Sequence, residues 1–210
     1  MRLLLVISEH ARGLTAERLA RYETLRLRLA ALAGTAVESA QYASLDELDA
    51  DVVVLSGSYE PWASHDQEEL DRFLALLRER RRPVLGICAG MQLQARALGG
   101  SVRPASRPSR GFASVDVLDA SDLLADLEPR IEVFTHHDDE IAILPEGVRV
   151  LATSHSSTVE AIAVADRPWW GTQFHPERWD DDHPAGLSIL RQFFNLAGVT
   201  AGATPPPALG

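Results

Sequence analysis

The chain has 210 residues, 46% of them hydrophobic and 24% charged, with a formal net charge of -10; this is enough to bury the core of one α/β domain, and it disfavours a nucleic-acid backbone as partner. All 20 basic residues are arginine, which excludes lysine Schiff-base chemistry and the lysine of a phosphate-binding P-loop. No run approaches the roughly 18 apolar residues of a membrane span, and Met1 to Ile7 lacks the length and cleavage site of a signal peptide, so a soluble, cytoplasmic protein is expected, its single cysteine suited to a reducing compartment.

Arg2 to Ile7 reads as a first strand, apolar throughout as strands covered on both faces are. From Ala16 to Ala33, Leu19, Tyr22, Leu25, Leu29 and Leu32 recur every three or four positions with arginines and glutamates between them, the pattern of an amphipathic helix that Gly34 ends. Ala36 to Ala40 is an expected edge strand, Leu45 to Leu48 a short helical turn, and Asp51 to Leu55 a second buried strand running into Ser56-Gly57-Ser58-Tyr59. A glycine at a strand end offers bare backbone N–H groups to an anion, or simply makes a turn. Ser64 with Gln67 three residues on reads as a capping box for a helix with Leu70, Phe73, Leu74 and Leu77 on its buried face. Arg78 and Arg80 to Arg82 would form its solvated cationic end.

The apolar run Pro83 to Ile87 ends in Gly86-Ile87-Cys88-Ala89-Gly90 and continues as Met91-Gln92-Leu93, which reads as a strand turning sharply into a helix. Most lone cysteines are buried hydrophobes. Here the two glycines supply the space that a nucleophile elbow needs, and a cysteine at a helix N-terminus is both presented and favoured as thiolate. After a Gly99-Gly100 stop, Ser101 to Arg110 is rich in Pro, Ser and Arg and is expected to be an irregular loop. The second half is more β-rich, with strand-like runs at 115–118, 131–134, 148–151, 159–164 and 170–174, a short helical segment at 121–127 and a final helix from Pro184 to Leu196.

A thiol nucleophile needs a base, and the base needs an orienting group. Of seven histidines, His10, His65, His155 and His183 read as solvated, whereas His175 ends a strand with Glu177 two residues later, on the same side of an extended segment. In open α/β sheets the site lies beyond the carboxyl ends of the strands, and Cys88, Ser58 and His175 are all expected at such ends.

Gly86-Ile87-Cys88-Ala89-Gly90-Met91-Gln92 together with Gln173-Phe174-His175-Pro176-Glu177 resembles the class I (triad-type) glutamine amidotransferase family over most of the chain. The resemblance implies a mostly parallel, flavodoxin-like open sheet flanked by helices over residues 1–198, while the three consecutive prolines near the end make 199–210 an expected disordered tail. It also implies a Cys88, His175, Glu177 triad that hydrolyses the side-chain amide of L-glutamine through a thioester, without metal or cofactor. The oxyanion would meet backbone N–H groups of Ala89 and of Gly57 or Ser58, and Gln92, His137 and Asp139 would hold the substrate. Three positions depart from the family pattern: Ser58 and Tyr59, in an oxyanion loop that reads Ser-Gly-Ser-Tyr where relatives usually read Ser-Gly-Gly-Pro, and Ser109, which stands where an acidic residue often precedes the glycine. Since no ATP-binding signature follows residue 197, the ammonia-accepting synthase is expected on a separate chain. The alternatives are a γ-glutamyl hydrolase of the same fold, a non-catalytic regulatory or binding protein, and the elbow-cysteine stress-protein family of similar topology, which does not need the His-Pro-Glu strand end.

Overall fold

A computed structural model describes residues 1–199. One nine-stranded sheet organises them. Strands β1 (Leu3–Ile7), β2 (Val37–Gln41), β3 (Val52–Leu55), β4 (Val84–Ile87) and β9 (Trp169–Thr172) lie parallel in the order β2-β1-β3-β4-β9, the order of a flavodoxin-like sheet. Beyond β9 the sheet turns antiparallel through β8 (Ala161–Val164), β7 (Val148–Thr153), β5 (Ser101–Val117) and β6 (Arg130–Ile143).

Every residue of β1, β3 and β4 is buried, and the two faces divide the core. Leu3, Leu5, Val52, Val54, Leu85 and Ile87 pack with helices α1 (Ala16–Ala33) and α4 (Ala185–Leu196). Leu4, Val6, Val53, Leu55 and Val84 face α2 (Gln67–Glu79) and α3 (Ala89–Ala97). This two-sided covering is why these strands read as continuous apolar runs rather than alternating ones. Val199 is buried in the first of these clusters, while the rest of the expected tail, 200–210, lies outside the described residues.

Several expectations are corrected. The cap of α2 is Asp66, whose carboxylate accepts the Glu68 and Glu69 N–H groups, and Ser64 instead ends a 3-10 turn. A carboxylate in that place serves two orphan donors and the helix dipole at once. The short helical turn falls at Tyr42–Ser44, ahead of Leu45, because the Gln41 side chain accepts the Ala43 N–H. Ser101 to Arg110 is strand, not loop. Only Asp116 and Val117 of β5 pair with β7, so the prolines at 104 and 108 sit where one flank of the strand carries no ladder, and the pairing with β6 slips between Pro104 and Ser109. On α1, Leu19 is exposed and Arg28 buried, the reverse of the simple stripe. Arg80 is no solvated cap. Its guanidinium donates to the carbonyls of Leu48, Ala50, Asp51 and Pro83 and ties α2 to the start of the sheet. His65 is also buried, stacked on Tyr42 and hydrogen-bonded to its hydroxyl at 3.2 Å, and burial lowers its pKa to about 4.

Candidate active site

A cleft of about 670 Å³ opens past the carboxyl ends of β3, β4 and β9, walled by α1 on one side and β6 on the other. This volume falls within the range of small-molecule sites. Cys88 lies at its floor, at the junction of β4 and α3, with φ 51° and ψ -107°, a conformation that non-glycine residues rarely adopt. The close packing of that junction explains both glycines. A Cβ on Gly86 would come within 2.6 Å of the Gly90 carbonyl carbon and the Met91 nitrogen, and one on Gly90 within 2.4 Å of the Leu55 carbonyl oxygen. Their role is therefore close approach rather than φ. The strained turn is pinned by the Cys88 N–H, which donates to the Thr172 carbonyl at 2.6 Å.

The Cys88 sulfur sits between two groups absent from the sequence-derived set. Its S–H donates to the His136 carbonyl at 3.7 Å, and Gln173 Nε2 donates to it at 3.4 Å. His175 is close by, and the same His136 carbonyl is 3.4 Å from its Nε2. His175 Nδ1 meets Glu177 Oε1 at 2.8 Å. They meet across a single 3-10 turn, Pro176–Arg178, and not along an extended strand, so the expected pairing occurs by a different local geometry. Burial disfavours the charged ring, but the charge and hydrogen bond of Glu177, with the Cys88 sulfur, outweigh it and hold His175 well above the usual histidine range.

Gly57 faces both groups: a Cβ placed on it would be 3.0 Å from His175 Cε1 and 3.6 Å from Cys88 Cβ. Its carbonyl is drawn away by two donors, the Ser56 hydroxyl at 2.8 Å and the Tyr22 hydroxyl at 3.1 Å. The two loop residues that depart from the family pattern extend this anchoring. The Ser58 hydroxyl donates to the Glu60 carbonyl, and the Tyr59 N–H donates to Glu9 Oε2 at 2.7 Å. The Tyr59 ring lies under the guanidinium groups of Arg18 and Arg21, and Arg18 pairs with Glu60 at 2.7 Å, so the loop is fastened to α1. Ala89 is the first residue of α3, where a backbone N–H has no partner within the helix.

Of the residues expected to hold substrate, Gln92 is buried and largely committed. Its Oε1 accepts from Trp62 Nε1 at 2.7 Å, and its Nε2 donates to the Asp139 carbonyl at 2.8 Å and to Gln173 Oε1 at 3.1 Å. His137 also lines the cleft, with both ring nitrogens unpartnered and its pKa lowered by burial. Asp139 borders the same space, and burial, then the neighbouring Asp138, raises its pKa. Ser109 is outside this group, its hydroxyl bonded to that of Thr135 at 2.7 Å. Sequence reasoning missed Tyr22, Glu9, Trp62, Gln173 and the His136 carbonyl. Glu9, an acid two residues past the end of β1, carried a usable strand-end signal, whereas Tyr22 looked like one more apolar member of its helix stripe. Among the described residues, no three His, Cys, Asp or Glu side chains converge as a metal site requires, and no helix is long and apolar enough to cross a membrane.

The sequence model of a family described as glutamine amidotransferase class-I matches residues 21–196. A subunit of the glutamine-hydrolyzing GMP synthase of Sulfolobus acidocaldarius is 38% identical over 114 residues, 54% of this chain and 60% of that protein. The corresponding GMP synthase subunit of Saccharolobus solfataricus is 33% identical over 147 residues, covering 70% of this chain and 76% of that one. In several longer GMP synthases the match spans only 20–25% of their length. Among solved structures, a candidate GMP synthase subunit from Thermoplasma acidophilum superposes with a TM-score of 0.74 at 27% identity, over 94% of this chain and 95% of that one.

Proposed function

The chain belongs to the class I glutamine amidotransferase family, and on that premise we propose that it hydrolyses the side-chain amide of L-glutamine in the cytoplasm and passes the ammonia to a synthase carried on a separate chain. The observation that carries this reading is the 2.8 Å contact of His175 with Glu177 beside the chain's single thiol, held in a strained elbow at the floor of the cleft. Cys88 attacks the carboxamide carbon, with its proton passing to His175. Glu177 accepts the Nδ1–H bond, which fixes the tautomer and steadies the imidazolium. The oxyanion is met by the Ala89 N–H and by that of Gly57 or Ser58, a loop whose carbonyl is already held aside by Tyr22 and Ser56. Collapse expels ammonia, which takes the proton from His175. Water, activated by the same imidazole, then attacks the thioester to release glutamate.

His137 and Asp139 face the amino-acid end of the substrate. Gln92 acts through the protein, joining the Trp62 turn to β6 and to the strand end that bears His175. Because the relatives named above are subunits of GMP synthase, a GMP-forming synthase subunit is the first ammonia acceptor to test. A glutamine-mimicking diazo-ketone should label Cys88 stoichiometrically. Absence of labelling, with and without a synthase subunit, would leave the non-catalytic binding protein as the better reading. The cleft also has room for γ-glutamyl amines larger than glutamine. Preferential turnover of these in direct competition would reassign the substrate to the γ-glutamyl hydrolase class.

A further inference from the structure

Arg28 is a nearly buried cation on the wall of the cleft, with nothing to bond among the described residues. It lies on the inward side of α1 between Leu25 and Leu29 and is only 5% exposed. Its guanidinium carbon lies 3.5 Å from the centre of the Trp179 ring, and none of its three nitrogens has a hydrogen-bond partner among the described residues. Glu177, on the same cleft, has the complementary defect, since Oε1 is taken by His175 while Oε2 is buried without a partner. Trp179, on which Arg28 stacks, is two residues beyond Glu177 and caps the turn that carries it.

A buried guanidinium left unmatched is destabilising, and so is a carboxylate left unmatched. Each is the natural counter-charge for the other. Burial pulls the Arg28 pKa down, and the charge of Glu177 works against that pull. Stacking on an indole also selects for the planar, permanently charged guanidinium.

We infer that Arg28 is a positioning residue for the Cys88, His175, Glu177 group: held against Trp179, its fixed charge balances that of Glu177 and holds the carboxylate in place against the imidazole. The inference rests on the triad reading above. The other charged or titratable groups lining the cleft beside His175 are Glu177, Cys88, His136, His137, Asp138, Asp139 and Arg178. Burial lowers the pKa of both His136 and His137, and Arg178 is exposed and screened by salt, so Arg28 is the buried fixed cation of the set.

The test compares Arg28→Met with Arg28→Lys in the full chain, following the His175 ring titration by NMR with assignment from His175→Gln. Removing a nearby cation favours the protonated imidazole. Arg28→Met should therefore raise the His175 midpoint by about one pH unit. It should also lower kcat for glutamine roughly tenfold, the rate equivalent of one such unit, with KM unchanged. Arg28→Lys should keep the wild-type midpoint. An unchanged midpoint in Arg28→Met, or an equal shift in Arg28→Lys, would overturn the inference, because it would reduce Arg28 to packing. If Arg28→Met does not fold, Arg28→Gln supplies the neutral side chain for the same titration. A wild-type chain that releases no ammonia would sink the hydrolase reading, while the titration would still decide the role of Arg28.

Discussion

Gly57→Ala isolates the geometry of the cleft from the stability of the fold. Gly57 is not among the residues with positive φ, so the backbone accepts alanine and the perturbation is one methyl group. That methyl would lie 3.6 Å from Cys88 Cβ, an ordinary contact, but 3.0 Å from His175 Cε1. Carbon atoms rest at about 3.5 to 4.0 Å, so the ring has to retreat by about half an ångström. It cannot do so freely, because Nδ1 is tied to Glu177 at 2.8 Å and the backbone N–H to the Phe134 carbonyl at 2.8 Å. Since a misplacement of about 1 Å costs about 100-fold, displacing the base by half as much should cost about 10-fold in kcat. KM should change little, and stability should fall by no more than about 1 kcal/mol. Ammonia release, followed through a coupled dehydrogenase, gives kcat and KM, and a thermal melt of the same preparation gives stability. Full kcat at an unchanged Tm would refute the placement of Gly57 against His175.

Other substitutions probe separate links. Tyr22→Phe removes one of the two donors to the Gly57 carbonyl; it should cost about 1 kcal/mol in denaturant melts and lower kcat more than it raises KM. Gly90→Ala puts a Cβ 2.4 Å from the Leu55 carbonyl oxygen, which forces α3 from β3 and should destabilise the protein by about 3 kcal/mol in urea unfolding. Glu160 is fully buried, with Oε1 bonded to Ser154 at 2.6 Å, and burial pushes its pKa from 4.5 to about 7. The folded state thus holds this proton more tightly than the unfolded chain, so stability should fall as pH rises from 4.5 to 7, by on the order of 3 kcal/mol. Glu160→Gln should flatten that part of the curve, and an unaltered slope would show that the carboxyl ionises freely in the fold.

What could be read from the sequence was local. The elbow was legible because tight backbone packing admits only glycine at positions 86 and 90, and the parallel strands because burial on both faces removes every polar residue from β1, β3 and β4. His175 with Glu177 was legible as a pair, although the turn that joins them was not. The misses share a physical origin, in that burial of a charged or polar side chain depends on partners distant in the chain. Arg80 finds the carbonyls of Leu48, Ala50 and Asp51 some thirty residues away. Arg28 finds Trp179 across the molecule, and His65 finds Tyr42. Composition likewise misled at Ser101 to Arg110, where proline and serine argued for a loop and the open flank of the strand let them stay in the sheet.

Hydrolysis of glutamine by Cys88, with His175 and Glu177, is decided by incubating the full chain with L-glutamine, with and without a GMP-forming synthase subunit, and measuring glutamate and ammonia together. The wild-type chain should give equal amounts of the two products, and Cys88→Ser neither. Undiminished ammonia release by Cys88→Ser, or none from the wild type under either condition, would rule out this role for Cys88.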